Sequence, residues 1–120
     1  VMNEKQINEK LMAIVESLKN AKCKDIASFD LTDAGEEKFF VVVSAPNADE
    51  TKRIADLMCE KFECVGEKDG YFKGEWIILN FEPVVLHIFT QTNRTKYNLD
   101  RLYKSKEIDV LKYIKKKKSK

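Results

Sequence analysis

Histidine is almost missing from this chain: His87 stands alone in 120 residues, which excludes a histidine-built metal centre. Cysteine is scarce and odd in number. Cys23, Cys59 and Cys64 form no Cys-x-x-Cys pair, so zinc-ligand spacing is absent. Reduced thiols in a cytoplasmic protein are expected, packed as small apolar residues. No stretch approaches the roughly 20 apolar residues of a membrane span, and the opening residues, VMNEKQ, lack the basic-then-apolar pattern of a secretory leader. Glycine-rich phosphate loops are also missing, since neither G-x-G-x-x-G nor G-x-x-x-x-G-K-[ST] occurs. No G-x-S-x-G elbow is found. No cofactor and no metal are expected. Charge of one sign is not in excess, because 22 basic against 20 acidic residues leave only +2. The basic excess is local: Lys115, Lys116, Lys117, Lys118 and Lys120 close the chain.

What is present describes one domain, long enough to bury a real core, with no internal repeat and no linker. Asn3 and Gln6 have capping-box spacing, and Ile7, Leu11, Ile14, Val15 and Leu18 follow on one stripe, predicting a helix over residues 4–19. Residues 25–31 read as a strand with Ala27, Phe29 and Leu31 on one face and Ile26, Ser28 and Asp30 on the other. The run FFVVVSA, residues 39–45, is apolar throughout, as expected for a central strand covered on both faces. Pro46 ends it. Asn47 and Glu50 repeat the capping-box spacing, ahead of a helix to about Phe62 carrying Ile54, Ala55, Leu57, Met58 and Phe62. Strand–helix–strand order implies some parallel pairing through a right-handed crossover. Residues 67–74 contain Asp69-Gly70, a turn signal ahead of the next strands, and a short third strand is expected between Cys64 and Tyr71.

The richest stretch is GEWIILNFEPVVLHIF. Residues 76–81 and 84–89 read as a hairpin. If Phe81 lies opposite Val84, one face holds Ile77, Leu79, Phe81, Val84, Leu86 and Ile88. The other face then pairs Trp76 with Phe89, Ile78 with His87 and Asn80 with Val85. A three-residue reversal would move His87 into the apolar set. Pro83 cannot take φ > 0, so a type I′ turn is excluded and the loop geometry stays open. The first face reads as core and the second as a partly exposed surface. Beyond Phe89, Thr90 or Thr92 can cap a short helix. Tyr97, Leu99, Leu102 and Tyr103 would fold that segment back onto the sheet, and Ile108, Leu111 and Ile114 predict a last amphipathic helix.

Catalytic chemistry is thinly signalled. His87 as a general base would need a partner within hydrogen-bond reach, and a structural or interface role is the expectation. Asn80, one register step away, suits either reading. Asp25, Asp30 and Asp33 straddle a strand and could in principle hold Mg²⁺, although solvated acids around a loop are the commoner arrangement.

At HIFTQTNRTKYNLDRLY the chain resembles the Iojap-like family of ribosomal silencing factors. That family reads W-hydrophobic-D-φ-G-D-V-V-V-H-x-F, then R-x-x-Y-x-L-E-x-L-W. Trp76, Val84, Val85, His87, Phe89, Arg94, Tyr97, Leu99 and Leu102 stand in the matching places. NAKCKDIASFDL resembles the family's first strand, and FFVVVSAPNADETKRIAD its second strand and helix. Asn80 replaces the usual Asp, Glu82-Pro83 replaces Gly-Asp, Asp100 replaces Glu and Tyr103 replaces the terminal Trp.

The resemblance implies an α/β, mixed-sheet single domain of nucleotidyltransferase-like topology, with about five strands flanked by helices. Residues 2–104 would be the silencing domain, and residues 105–120 a C-terminal amphipathic helix and basic tail. It implies a non-enzymatic protein, often dimeric in isolation. Such a protein binds the large ribosomal subunit through its L-fourteen-type protein, blocks joining of the small subunit and represses translation when nutrients are scarce. On that reading the partner-binding residues are Trp76, Ile78, Asn80, His87 and Phe89, with Arg94, Tyr97, Arg101 and Tyr103 nearby. For Tyr97, Leu99 and Leu102 core packing is favoured, and Arg94 and Arg101 could be solvated or pair with Asp100 or Glu107. Lys115, Lys116, Lys117 and Lys118 could touch ribosomal RNA peripherally. The alternative is a nucleotide-binding protein or enzyme, argued from fold analogy alone.

Overall fold

Asn3 and Gln6 begin the first helix as their spacing predicts. The Asn3 side chain accepts from the Gln6 amide, and the Gln6 side chain accepts from the Asn3 amide. The computed structural model describes residues 2–110 and residue 112, and α1 (Glu4–Asn20) is the first element. It buries Ile7, Leu11, Ile14, Val15 and Leu18 against the sheet. Strand β1 (Lys24–Asp30) pairs antiparallel with β2 (Phe39–Ala45), which is buried along almost its whole length. Helix α2 (Ala48–Lys61) follows, capped by the Asn47 side chain on the Glu50 amide at 3.0 Å.

The hairpin forms in the expected register. In β3 (Trp76–Asn80) and β4 (Val84–Thr90), Trp76 pairs with Phe89, Ile78 with His87 and Asn80 with Val85. The Phe81 amide donates to the Val84 carbonyl at 2.8 Å, and the Glu82–Pro83 peptide is cis. Lys10 of α1 donates to the Phe81 and Glu82 carbonyls, tying the reversal to the helix layer. β4 then runs parallel to β2, from Phe39 opposite Val84 to Ala45 opposite Thr90.

The fifth strand is not the expected one. Between Cys64 and Tyr71 the chain makes only a single bridge, Asp69 to Ile78, and one bond from the Val65 amide to the Asn80 carbonyl. Gly66 and Gly70, both at positive φ, interrupt the regular ladder. β5 (Glu107–Ile108) instead pairs with β1 at Ser28 and Phe29, giving the order β3-β4-β2-β1-β5. Ile108 is thus a strand residue, and helical backbone begins only at Val110, where the Asp109 side chain accepts from the Lys112 amide at 3.2 Å. The sheet continues past residue 104, and Val110 is buried in the main core. Leu111, Ile114 and the closing lysines lie outside the described residues.

The result is a mixed α/β domain with one open five-stranded sheet. α1 and α2 pack on one face, where Val41, Val43, Ile77, Leu79, Phe81, Leu86 and Ile88 belong to the main core. Cys23, Cys59 and Cys64 are unpaired and pack against this core. Burial pushes the Cys23 and Cys59 thiols up to about 11.

Candidate functional site

The other sheet face is built by the alternate residues of the same strands. β3 gives Trp76, Ile78 and Asn80; β4 gives Val85, His87 and Phe89; β2 gives Phe40, Val42 and Ser44; β1 gives Ala27 and Phe29. Among the described residues no long helix lies on it. Its cover is two short helices, α3 (Gln91–Tyr97) and α4 (Leu99–Leu102), a 3-10 turn at Lys104–Lys106, and Tyr103. Phe29, Val42, Phe89 and Leu99 are buried beneath that cover, while Phe40, Trp76, Ile78, Asn80, Val85 and Tyr103 stay half-buried.

The aromatic rings are continuous across this face. Trp76 stacks on Phe89 at 4.8 Å between centroids and meets Tyr97 at 4.9 Å. Phe40 lies 4.4 Å from His87 and contacts Tyr103 edge-on at 5.5 Å. The surface is therefore aromatic and only partly wet, the character that favours a protein partner.

The expected exposure holds for part of the set. Trp76, Ile78 and Asn80 reach solvent, as do Tyr97, Arg101 and Tyr103. Phe89 is fully buried and His87 is 5 % exposed. The reason is the return of α3, which carries Tyr97 to the edge of the Trp76–Phe89 stack. Expected core packing holds for Leu99 but not for its companions: Tyr97 is 48 % and Leu102 67 % exposed.

His87 is held by the indole. Trp76 Nε1–H donates to His87 Nδ1 at 3.1 Å, so the imidazole proton sits on Nε2. That Nε2 is buried with no partner among the described residues. Burial, helped by Lys38, lowers the His87 pKa to about 4. The ring is neutral at physiological pH and its one lone pair is already taken, which suits a structural role under the face. Asn80 does not touch it; its side chain accepts from the Glu82 amide.

Arg94 resolves its open alternatives. Its Nε and Nη2 donate to the two Asp100 carboxylate oxygens at 2.7 and 2.8 Å, and its Nη1 donates to Ser44 Oγ at 2.9 Å. The side chain is 12 % exposed. It bolts α3, α4 and β2 together, and it holds the Asp100 carboxyl below the usual carboxylate range. The sequence marks Arg94 as a partner-binding residue but gives no sign of Ser44, whose buried hydroxyl carries no pattern of its own. Among the described residues no group of three or more His, Cys, Asp or Glu side chains is placed to hold a metal ion, and Asp25, Asp30 and Asp33 do not converge. No described helix is long and apolar enough to cross a membrane.

The family described as "Ribosomal silencing factor during starvation" matches residues 4–120. The chain belongs to the ribosomal silencing factor family. A ribosomal silencing factor of Treponema pallidum is 30% identical over 98 residues, covering 76% of this chain and 86% of that protein. One from Bacillus subtilis is 23% identical over 107 residues, covering 85% and 88%. A crystal structure of a Bacillus halodurans protein superposes with a TM-score of 0.69 at 20% identity, covering 84% of this chain and 97% of its own. One from Chromobacterium violaceum gives 0.68 at 24%, covering 84% and 87%. These two likenesses concern the fold alone. In this family member Trp76, His87, Phe89, Arg94 and Tyr97 all lie on the aromatic face or brace it.

Proposed function

We propose that this chain silences ribosomes by occupying space. It docks on the large ribosomal subunit through the L-fourteen-type protein, blocks joining of the small subunit and represses translation in the cytoplasm when nutrients are scarce. The observation that carries this reading is the half-covered aromatic face, on which Trp76 joins Tyr97 at its edge while Ile78, Asn80 and Val85 stay accessible. Family membership supplies the class of partner.

Trp76, Ile78, Asn80, Tyr97, Arg101 and Tyr103 make the direct contacts. His87, Phe89 and Arg94 form the floor and the brace that hold them in place. Trp, Tyr and Arg are the usual hot-spot residues, because they bury large area at modest entropy cost. A standard interface of about 800 Å² per partner fits such a face. No chemical step and no cofactor enter, because the effect is steric. Lys115, Lys116, Lys117 and Lys118 add a peripheral contact to ribosomal RNA. Co-sedimentation of purified protein with isolated large and small subunits tests the docking step. Retention on the large subunit alone is expected; equal retention on both, or on neither, contradicts it.

A further inference from the structure

The near balance of charge over the whole chain conceals a strongly basic hollow. Lys22, Lys24, Arg53 and Lys61 line a cavity of about 500 Å³ between the end of α1, the start of β1 and one flank of α2. Glu50 is the one acid among its lining residues, and it is already engaged. Arg53 Nε donates to its carboxylate at 3.0 Å, and Arg53 Nη2 donates to the Ala21 carbonyl at 3.4 Å, which fixes the guanidinium at the rim. The ammonium groups of Lys22, Lys24 and Lys61 make no ion pair or hydrogen bond among the described residues. Lys22 stands at φ 62, the left-handed position just past a helix where glycine is most at ease. Pro46 and Leu57 complete the walls with apolar surface. Low-dielectric walls around one sign of charge concentrate its field.

The placement of this hollow matters as much as its charge. Lys24 pairs with Ser44, Ser44 with Phe89, and Phe89 with Trp76. The hollow and the aromatic face therefore share one end of the sheet.

We propose that this hollow binds the phosphodiester backbone of RNA. On the large subunit, a step that rests on the docking reading above, it takes a segment of ribosomal RNA beside the protein interface. Three free lysines spread over separate elements suit a run of singly charged phosphates laid across the rim. The C-terminal end of α1 forms one wall, and its partial negative charge disfavours a compact dianion lodged deep inside.

The test is fluorescence anisotropy of a labelled single-stranded uridine oligonucleotide over a KCl series. It compares the full chain, a Lys22→Gln/Lys24→Gln variant, a Lys61→Glu variant, and a tail variant with Lys115, Lys116, Lys117 and Lys118 changed to Gln. The hollow variants are expected to bind at least about tenfold more weakly at low salt, with the salt slope falling by about 0.7 for each phosphate no longer neutralised. The tail variant keeps the part of the slope that the hollow supplies. Equal affinity and slope for the full chain and both hollow variants overturn the assignment. So does a melting temperature raised by inorganic tripolyphosphate in the full chain but not in the hollow variants, without RNA binding, because the site then takes a small phosphorylated ligand. Hollow-dependent RNA binding by a protein that fails to bind large subunits supports the hollow and sinks the docking reading, so the two failures are distinguishable.

Discussion

The indole of Trp76 and the imidazole of His87 are joined by one hydrogen bond, Nε1–H to Nδ1 at 3.1 Å. They are diagonal neighbours on adjacent strands, since Trp76 faces Phe89 and Ile78 faces His87. Diagonal pairs on a sheet lie within reach of long and aromatic side chains. The bond selects the Nε2–H tautomer, turns the indole along the sheet, and leaves its outer side to solvent and Tyr97. A side chain intended for docking is thus oriented before any partner arrives, which lowers the ordering cost of binding.

That bond exists only while His87 is neutral, which makes stability pH-dependent. Its pKa falls from the ordinary 6.5 to about 4 in the folded chain, chiefly through burial. Below about 6.5 the unfolded chain takes up a proton that the folded chain refuses, so stability falls as pH drops and levels off below about 4. The loss is of order 3 kcal/mol. Urea unfolding at stepwise pH reads it. His87→Gln should flatten the curve between pH 6.5 and 4 relative to the parent, whatever its stability at neutral pH. A slope there identical to the parent's would show that His87 is not the titrating group.

Arg94→Ala removes both bonds to Asp100 and the bond to Ser44. With Asp100 partly exposed, the expected loss is about 1–2 kcal/mol. Arg94→Lys should recover less than half of it, because an ammonium cannot span the carboxylate fork and the hydroxyl together. Urea midpoints of the two variants settle the comparison, and full rescue by Lys would mean that charge alone matters.

Gly70→Ala places a Cβ 2.1 Å from the Trp76 carbonyl oxygen, a backbone atom that cannot move without shifting β3. Gly66→Ala meets nothing within 4 Å, although it too sits at positive φ. Both therefore carry backbone strain of about 1 kcal/mol, and Gly70→Ala adds a collision. Its melting temperature should fall well below that of Gly66→Ala; equal values would contradict the close approach.

Trp76→Ala should weaken large-subunit binding by about 2 kcal/mol or more, the scale of a hot-spot aromatic. Because Trp76 also covers Phe89, its loss can cost stability as well. Tyr97→Ala provides the companion test: Tyr97 is 48 % exposed and packs only at the rim of the Trp76–Phe89 stack, so its truncation should cost less stability than that of Trp76. It should lose about 1 kcal/mol of binding in the same sedimentation assay. Unchanged binding by both variants would place the interface elsewhere.

Much of this architecture is legible in the sequence. The α1 stripe, the all-apolar β2 and the hairpin register rest on periodicity, which operates over a few residues. β5 is not legible, because two residues of strand carry no period and their pairing with β1 is set by where the chain returns. Residues 64–71 offer only Cys64, Val65 and Tyr71 to a strand, and Gly66 and Gly70 break the ladder there. At the site, the identity of the face is readable and its depth is not. Burial of His87 and Phe89 depends on α3 and α4 folding back, and that depends on Arg94 finding Ser44 fifty residues earlier in the chain.

The central claim is obstruction, and a subunit-joining assay tests it most directly. Purified small and large ribosomal subunits are mixed under joining conditions with saturating protein and resolved by sedimentation. The expected result is that separate subunits persist, with the protein on the large one, and that joining returns when Trp76→Ala replaces the parent. Normal formation of joined ribosomes in the presence of saturating parent protein would contradict the account.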